Sequence, residues 1–416
     1  MPRRRRWTPV RGTANRVYDA RERLLLGALD LPARVAFGLA GLVHRTPPVP
    51  EPAVLREVLV LRLDRIGDVL MSLDALADLR AALPKARIRL AVGAWSEEIA
   101  RRAPVDDLLV WSAPWVGRPS EGALRFGDLA RRARALRADR IDLAIDLQGD
   151  VRASVLLWLS GARHRVGYAN TGGAWLLSQV VPLDETVSWV EQNRQAVALA
   201  TGQPTAGLHV DPLDAEDRAF GARLAANLGL EARRPLVGIH PSGGRRVKQW
   251  DVGRWADVAR RLQREFGATV LVTGGATDAP LATAIAAGLA ERPFDLTGKL
   301  SLRETLALIA RLDLFLSPDT GPMHMACAVG TPSIAVFGPS DPVRYFSGGS
   351  GLPGTRHVVV RADLWCAPCN LIRKPPTECD TDEPPECLQL VTADAVYAAA
   401  ARQLRETGGY RMREEA

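Results

Sequence analysis

The sequence predicts an α/β protein built on two doubly wound parallel sheets, with a helical appendage ahead of them. Short apolar runs such as Val58–Leu61 and Ile334–Phe337 recur in both halves of the chain, the pattern of strands buried on both faces. Stretches with apolar residues at helical spacing separate these runs, which argues βαβ units. The carboxyl ends of several runs open into turns rich in Gly, Asp or Ser, where open α/β sheets place their ligands. With 416 residues, 47% of them hydrophobic and 24% charged, the chain can bury two cores and still carry an appendage. The expected division is an appendage and linker at 1–52, a first sheet domain at 53–205, a second at 206–345, and a cysteine-containing loop with a closing helix at 346–416.

The formal charge is +7, and much of the excess lies in Arg3, Arg4, Arg5, Arg6 and the stretch that follows. Residues Ala14 to Arg45 read as one or two helices broken near Pro32. Asp30, Pro32 and Arg34 interrupt their apolar content, so no uncharged span is long enough for a transmembrane helix. No cleavage site of small residues follows a clean apolar core, which argues against a signal peptide. An arginine flank beside a moderately apolar helix suits an anionic membrane surface; the same stretch would also serve as a helix packed on the main body. Thr46-Pro47-Pro48-Val49-Pro50-Glu51-Pro52 is a stiff, extended linker. Nucleic acid is disfavoured, because no helix-turn-helix, zinc-finger or RNP pattern and no basic stripe interleaved with aromatics is present. Five cysteines do not make a secreted disulfide scaffold, so a reducing cytoplasm is the expected compartment.

In the first domain Glu57–Leu63 reads as a strand and Asp64-Arg65-Ile66-Gly67 as its turn. A helix is expected from Asp68 to about Leu83, with Val69, Leu73, Leu76, Leu79 and Leu83 on one face. Asp68 lies just past a strand end, so it reads either as a helix cap or as a carboxylate that takes a proton from a substrate hydroxyl. Ile88–Val92, Leu108–Trp111 and Ile141–Asp146 are further strands. Asp146-Leu147-Gln148-Gly149 repeats the strand-end arrangement, and Arg152 nearby would meet a phosphate or lie in solvent.

In the second domain Leu236–His240 runs into Pro241-Ser242-Gly243-Gly244, a turn that exposes backbone N–H groups to an anion. Lys248 follows as a phosphate partner or a solvated loop lysine. A helix over Val252 to Phe266, a strand at Thr269–Val272 and a helix over Leu302 to Arg311 come next. The strand Leu312–Leu316 leads into Ser317-Pro318-Asp319-Thr320-Gly321-Pro322-Met323-His324. Asp319 and Thr320 are good caps, and a helix start there suits an anion. No Gly-x-Gly-x-x-Gly and no Gly-Lys-Ser/Thr loop occurs, which disfavours dinucleotide oxidoreductases and P-loop NTPases. Cys366-Ala367-Pro368-Cys369, Cys379 and Cys387 have the spacing of a structural zinc or iron site or of four reduced loop thiols.

Taken in order, several strings resemble glycosyltransferase family 9, the heptosyltransferases of lipopolysaccharide core assembly, over about Val58 to Leu404. They are Leu61-Arg62-Leu63-Asp64-Arg65-Ile66-Gly67-Asp68-Val69, Asp146-Leu147-Gln148-Gly149, His240-Pro241-Ser242-Gly243 with Lys248-Gln249-Trp250, and Leu296-Thr297-Gly298-Lys299. Most diagnostic is Asp319-Thr320-Gly321-Pro322-Met323-His324-Met325-Ala326 with Gly330-Thr331-Pro332 and Phe337-Gly338-Pro339. The resemblance implies a GT-B fold, two Rossmann-like domains facing across a cleft, with the C-terminal helix crossing back to the first. It implies inverting transfer of heptose from a nucleotide-diphosphate donor, typically ADP-heptose, to a lipid-linked sugar. By position Asp68 would be the general base and Lys248 would neutralise the departing diphosphate. Ser242, Gly243, Asp319, Thr320, Gly321 and His324 would hold the donor, and Arg65, Gln148 and Arg152 would face the acceptor.

No cofactor is expected for catalysis, since a lysine and backbone dipoles stabilise the leaving charge. The expected location is the cytoplasm, peripheral on the inner face of the inner membrane. Asp64 and Arg65 stand where family members commonly carry small or hydroxylated residues, and Asp74 stands where they carry proline, so the acceptor side is altered. A different acceptor, either protein or another surface glycan, is the alternative within the family; a nucleotide-sugar-binding protein without catalysis is the alternative outside it.

Overall fold

A computed structural model describes residues 51–116, 124–346, 356–371, 377–379 and 381–408. The arginine-rich tract and the helices expected over Ala14 to Arg45 lie outside the described residues.

The first unit carries strands β1 (Glu57–Arg62), β2 (Arg87–Val92), β3 (Asp107–Val110), β4 (Leu143–Asp146), β5 (His164–Gly167) and β6 (Gln179–Val180). Its helices are α1 (Ile66–Leu70), α2 (Leu73–Ala82), α3 (Glu97–Ala100), α4 (Phe126–Ala135), α5 (Val151–Leu159) and α6 (Trp189–Thr201). The second unit carries β7 (Leu236–Ile239), β8 (Thr269–Val272), β9 (Phe294–Asp295), β10 (Leu314–Pro318), β11 (Ser333–Phe337) and β12 (His357–Arg361). Around them lie α7 (Ala215–Asn227), α8 (Val252–Phe266), α9 (Ala279–Ala286), α10 (Leu302–Ile309), α11 (Gly321–Ala328), α12 (Pro342–Tyr345), α13 (Glu386–Gln389) and α14 (Ala393–Gly408).

Both sheets are parallel and six-stranded, in the orders β3-β2-β1-β4-β5-β6 and β12-β11-β10-β7-β8-β9. Each reverses direction beside its first strand, between β1 and β4 and again between β7 and β10. At such a switch point the loops leaving neighbouring strands diverge and open a crevice at the carboxyl ends. Asp68 and Gln148 follow β1 and β4; Ser242 and Asp319 follow β7 and β10.

The strands form because their side chains are buried on both faces. Val58, Leu59, Val60 and Leu61 are all solvent-free, and each such side chain contributes roughly 1.5–3 kcal/mol of transfer energy. Helix α8 shows the local signals in full. Asp251 caps it by accepting from the Arg254 N–H at 2.9 Å, and Gly267 ends it at φ +67°, which a side chain would strain. Trp255, Val258, Leu262 and Phe266 face the second core. The closing helix α14 buries Val396, Tyr397, Ala400 and Leu404 in that same core.

One expected helix is two. The stretch predicted to run unbroken from Asp68 to Leu83 starts earlier, at Ile66, and is interrupted at Met71-Ser72. The Ser72 hydroxyl donates to the Val69 carbonyl at 2.7 Å, closing α1 locally and letting α2 leave at a new angle. Asp68 therefore sits inside the first turn of α1 rather than at its cap.

The linker after α6 docks on α2. Asp78 accepts from the Leu208 N–H at 3.2 Å, and Asp74 accepts from the Val210 N–H at 2.9 Å. Asp74 also pairs with Arg194 at 3.1 Å and with the His209 ring at 3.2 Å, which gives the family-atypical carboxylate a structural use. His209 further bonds the Ala328 carbonyl at the end of α11, so one imidazole touches both units. Its pKa is raised above 6.5, chiefly by the Asp74 hydrogen bond. A raised folded-state pKa stabilises fully below 6.5, and the contribution disappears as pH rises through the folded value. The melting-temperature gap between wild type and His209→Gln is accordingly expected to be widest just below pH 6.5 and to close on the alkaline side. Because the ring is 62% exposed, the effect should stay under about 1 kcal/mol.

No helix among the described residues is long and apolar enough to cross a membrane.

Candidate active site

The first half of the site is built around one cation in an apolar strand. Arg62 ends β1 only 3% exposed, a burial that is costly unless the guanidinium is fully engaged. Its Nε donates to the Asp68 carbonyl at 3.0 Å and its Nη1 donates to the Leu147 carbonyl. The same guanidinium lies 3.4 Å from Asp64 Oδ2 and 3.7 Å from Asp68 Oδ1. Asp68 Oδ2 accepts from the Arg65 N–H at 3.2 Å. The Asp68 side chain remains 29% exposed, so it is fixed by its neighbours yet open to the crevice.

Gln148 joins this network, its Nε2 donating to Asp64 Oδ1 at 2.8 Å. Asp146 holds the Gln148 turn, its Oδ1 accepting from the N–H groups of Gln148 at 2.8 Å and Gly149 at 3.2 Å. Complete burial pushes the Asp146 carboxyl up to about 7, against those two hydrogen bonds and with the help of the Asp64 and Asp150 charges. Two further residues were expected on the acceptor side. Arg65 is exposed at the start of α1. Arg152 pairs with Asp150 at 2.6 Å and lies 4.8 Å over the Trp115 ring.

The second half centres on Lys248 and Asp319, whose Nζ and Oδ2 are 2.8 Å apart with 18% and 7% of their side chains exposed. Burial alone would raise the Asp319 pKa, but the Lys248 ammonium first, and His324 after it, hold it below 3.8. Asp319 is thus a carboxylate lodged where α11 begins, opposite its own lysine. Thr320 precedes the helix without capping it, since its hydroxyl donates to the Pro318 carbonyl at 3.3 Å. At the start of α11 Pro322 has no N–H, and those of Met323 and His324 bond the Thr320 carbonyl at 3.1 and 3.5 Å, so the Gly321 N–H is the one open to a ligand among the described residues. The Ser242–Gly244 turn packs directly on the lysine segment: a Cβ on Gly243 would stand 2.5 Å from the Lys248 carbonyl carbon and the Gln249 nitrogen. His240, just before it, is kept neutral, burial pushing its pKa down to about 4.

The halves meet at Gly67 and His324. A Cβ on Gly67 would lie 2.5 Å from His324 Cδ2, so α1 and α11 approach only because that residue has no side chain. His324 is buried and its pKa is lowered: desolvation outweighs the carboxylates of Asp319 and Asp68, and Lys248 acts in the same sense as burial. A neutral imidazole therefore lies within electrostatic reach of Asp68, Asp319 and Lys248 at once. Gly67→Ala is expected to force α1 from α11, lowering turnover at least about tenfold and destabilising by roughly 1–3 kcal/mol. Adding His324→Ala should restore part of the stability, and thermal melts of the two singles and the double check this coupling.

The spacing left the four cysteines open either as a structural metal site or as reduced thiols. Cys366 is exposed, Cys369 and Cys379 are half-buried, and Cys387 is turned inward on α13 beside Gly338. The four are close enough that burial and mutual repulsion raise the thiols of Cys366 and Cys379, and push Cys387 up to about 12. Yet among the described residues no three of His, Cys, Asp or Glu converge as metal ligands.

Two residues central to the geometry escaped the sequence reading. Arg62 carries a visible signal, a cation inside an otherwise apolar strand. Arg344 carries none: from α12 it donates to the carbonyls of Asp184 and of Val187, the latter at 2.6 Å, and lies 4.3 Å over Trp189. This ties the two units beside the crevice.

Residues 129–377 match the model of glycosyltransferase family 9 (heptosyltransferase). The chain is 26% identical over 299 residues to lipopolysaccharide heptosyltransferase 2 of Salmonella typhimurium, covering 69% of this chain and 84% of that protein. Among solved structures it is similar to a family 9 glycosyl transferase from Veillonella parvula, with a TM-score of 0.70 at 23% identity over 86% of this chain and 98% of the other. It is also similar to the ADP-heptose lipopolysaccharide heptosyltransferase II of E. coli, with a TM-score of 0.65 at 22% identity over 84% and 99% of the two chains. The fold is GT-B, two Rossmann-like units either side of a crevice.

Proposed function

The chain belongs to glycosyltransferase family 9, and from that premise we propose that it is an inverting heptosyltransferase acting on a lipid-linked core oligosaccharide. The donor is a nucleotide-diphosphate heptose. The printed names of its relatives, among them an ADP-heptose transferase of lipopolysaccharide, favour ADP-heptose. The observation that carries the reading is the Gly67–His324 contact, which sets one half-exposed carboxylate across from a lysine and a helix start.

In this reading the diphosphate lies against the first turn of α11 and the Ser242–Gly244 turn, with Lys248 on its oxygens. Asp319 is itself an anion, so it does not hold phosphate; it orients Lys248 and accepts hydrogen bonds from sugar hydroxyls. The acceptor hydroxyl enters from the β1 side. Its oxygen attacks the anomeric carbon from the face opposite the diphosphate, while its proton passes to Asp68. The bond to the diphosphate oxygen breaks, and the electron pair left on that oxygen is met by the Lys248 ammonium and the α11 dipole. Inversion follows from the single displacement. Arg62 keeps Asp68 pointed at the hydroxyl, and Thr320, Gly321 and His324 shape the floor beneath the sugar. The protein is proposed to act at the cytoplasmic face of the membrane as a peripheral enzyme.

Incubation of the enzyme with ADP-heptose and a heptose-deficient glycolipid tests the proposal. ADP release that requires the acceptor, with an inverted anomeric centre in the product, is expected. Donor binding without transfer to any glycan would instead assign a sugar-nucleotide-binding protein, and transfer to protein alone would move the acceptor to another class.

A further inference from the structure

We propose that the outer face of α4 and α5 is the surface on which this enzyme lies against an anionic lipid bilayer. The inference rests on the reading of a lipid-linked acceptor, and it locates the docking face in the folded first unit. Residues 125–140 hold six arginines against two aspartates, and all six arginines are exposed. Arg131 pairs with Asp128 at 2.7 Å while its side chain stays 78% exposed, and Asp139 is engaged by Arg89 at 2.7 Å. Among the described residues no carboxylate pairs with Arg125, Arg134 or Arg140. Both aspartates are thus spoken for, and three permanent cations face outward.

Beside this basic helix, α5 presents apolar residues where a solvated helix would present polar ones. Val151, Val155 and Trp158 recur at helical spacing on its outer side, with Val151 and Val155 half-buried and Trp158 39% exposed. The short turn that follows α4 is tied to the end of α5, Arg137 donating to the Leu159 carbonyl at 3.0 Å. Guanidinium groups around an indole and two valines match a headgroup layer above acyl chains: cations pair with lipid phosphates while the tryptophan settles at the interface. A nucleic-acid surface would instead want several aromatics interleaved with the cations.

The face is also continuous with the crevice. Phe126 at the start of α4 meets Trp115, their rings 6.0 Å apart, and Trp115 carries Arg152. A glycolipid whose acyl chains remain in the bilayer would pass its sugar over this edge toward Gln148 and Asp68.

Vesicle sedimentation of the full chain tests the proposal, with phosphatidylcholine alone and with phosphatidylglycerol added. Wild type should bind only the anionic vesicles, and added salt should release it. Arg125→Glu/Arg134→Glu/Arg140→Glu should weaken binding at least about a hundredfold, since each cation near such a surface is worth about a factor of five. Trp158→Ser should weaken it several-fold, and both variants should keep wild-type melting behaviour and donor affinity. Unchanged vesicle binding in the triple variant would overturn the proposal and move attachment to the basic N-terminal tract. Wild-type binding to a DNA oligonucleotide as tight as to anionic vesicles would overturn it as well. Wild type that binds vesicles through this face but glycosylates no lipid embedded in them would sink the acceptor reading and leave the docking face standing.

Discussion

Asp68→Asn is expected to slow sugar transfer by about 10²–10⁴-fold while donor affinity stays within about twofold of wild type. The substitution separates the two roles that this residue could have. As the third residue of α1, Asp68 accepts the Arg65 N–H at 3.2 Å, and an asparagine oxygen accepts that bond as well. The helix is therefore kept, and only the ability to take a proton from the acceptor is removed. Arg62 retains its bonds to the Asp68 and Leu147 carbonyls and its approach to Asp64, so the buried cation is not stranded. A melting temperature close to wild type together with a collapsed kcat would identify the base. If kcat falls no more than stability does, Asp68 is a helix residue and the catalyst lies elsewhere. Asp68→Ala removes the cap and the base together, so its extra loss of stability over Asp68→Asn measures the cap alone.

How much of this was legible beforehand differs between the two halves of the site. The run Asp319-Thr320-Gly321 after an apolar strand announces a helix start at a sheet's carboxyl end, and the structure places one there. The Lys248–Asp319 pair was not legible. Seventy residues of chain lie between the partners, and only the β7–β10 adjacency brings them together. Asp68 was legible as a strand-end carboxylate, but its setting was not. The interruption at Met71-Ser72 depends on one hydroxyl bonding one carbonyl, a choice that apolar periodicity does not encode. Gly67 read as turn punctuation, whereas its use is to admit His324 from the other unit. Long-range contacts of this kind depend on how two sheets are set against each other, which neither propensity nor local pattern carries. The cysteine spacing carried two readings, and it does not encode how the fold buries each thiol. Cys387 rides on α13 and is drawn into the core beside Leu388, where burial and the neighbouring cysteines raise its thiol.

The second large effect is expected at Lys248. Lys248→Met should reduce kcat by about 10²–10³-fold, with a smaller loss of donor affinity. The reason lies in what the ammonium neutralises before and after reaction. Without donor it is committed to Asp319 at 2.8 Å, a pair in which Lys248 helps hold that carboxylate in its charged form. In the proposed mechanism the donor diphosphate would share Lys248 with Asp319 in the ground state. As the bond to the leaving group breaks, a further negative charge would grow on the leaving oxygen and draw Lys248 toward it. An interaction that strengthens in the transition state raises kcat rather than binding. Lys248→Met alone also strands a buried carboxylate, a penalty of about 3–5 kcal/mol for a broken buried pair, which could unfold the site and imitate a catalytic defect. Lys248→Met/Asp319→Asn removes that penalty and keeps an oxygen for sugar hydroxyls. If the double variant regains stability but not turnover, the lysine's charge acts on the leaving group. If turnover returns with stability, Lys248 only counterbalances Asp319, and the helix start alone carries the departing charge. Lys248→Arg should recover little, because a longer planar fork replaces the compact ammonium that sits 2.8 Å from Asp319.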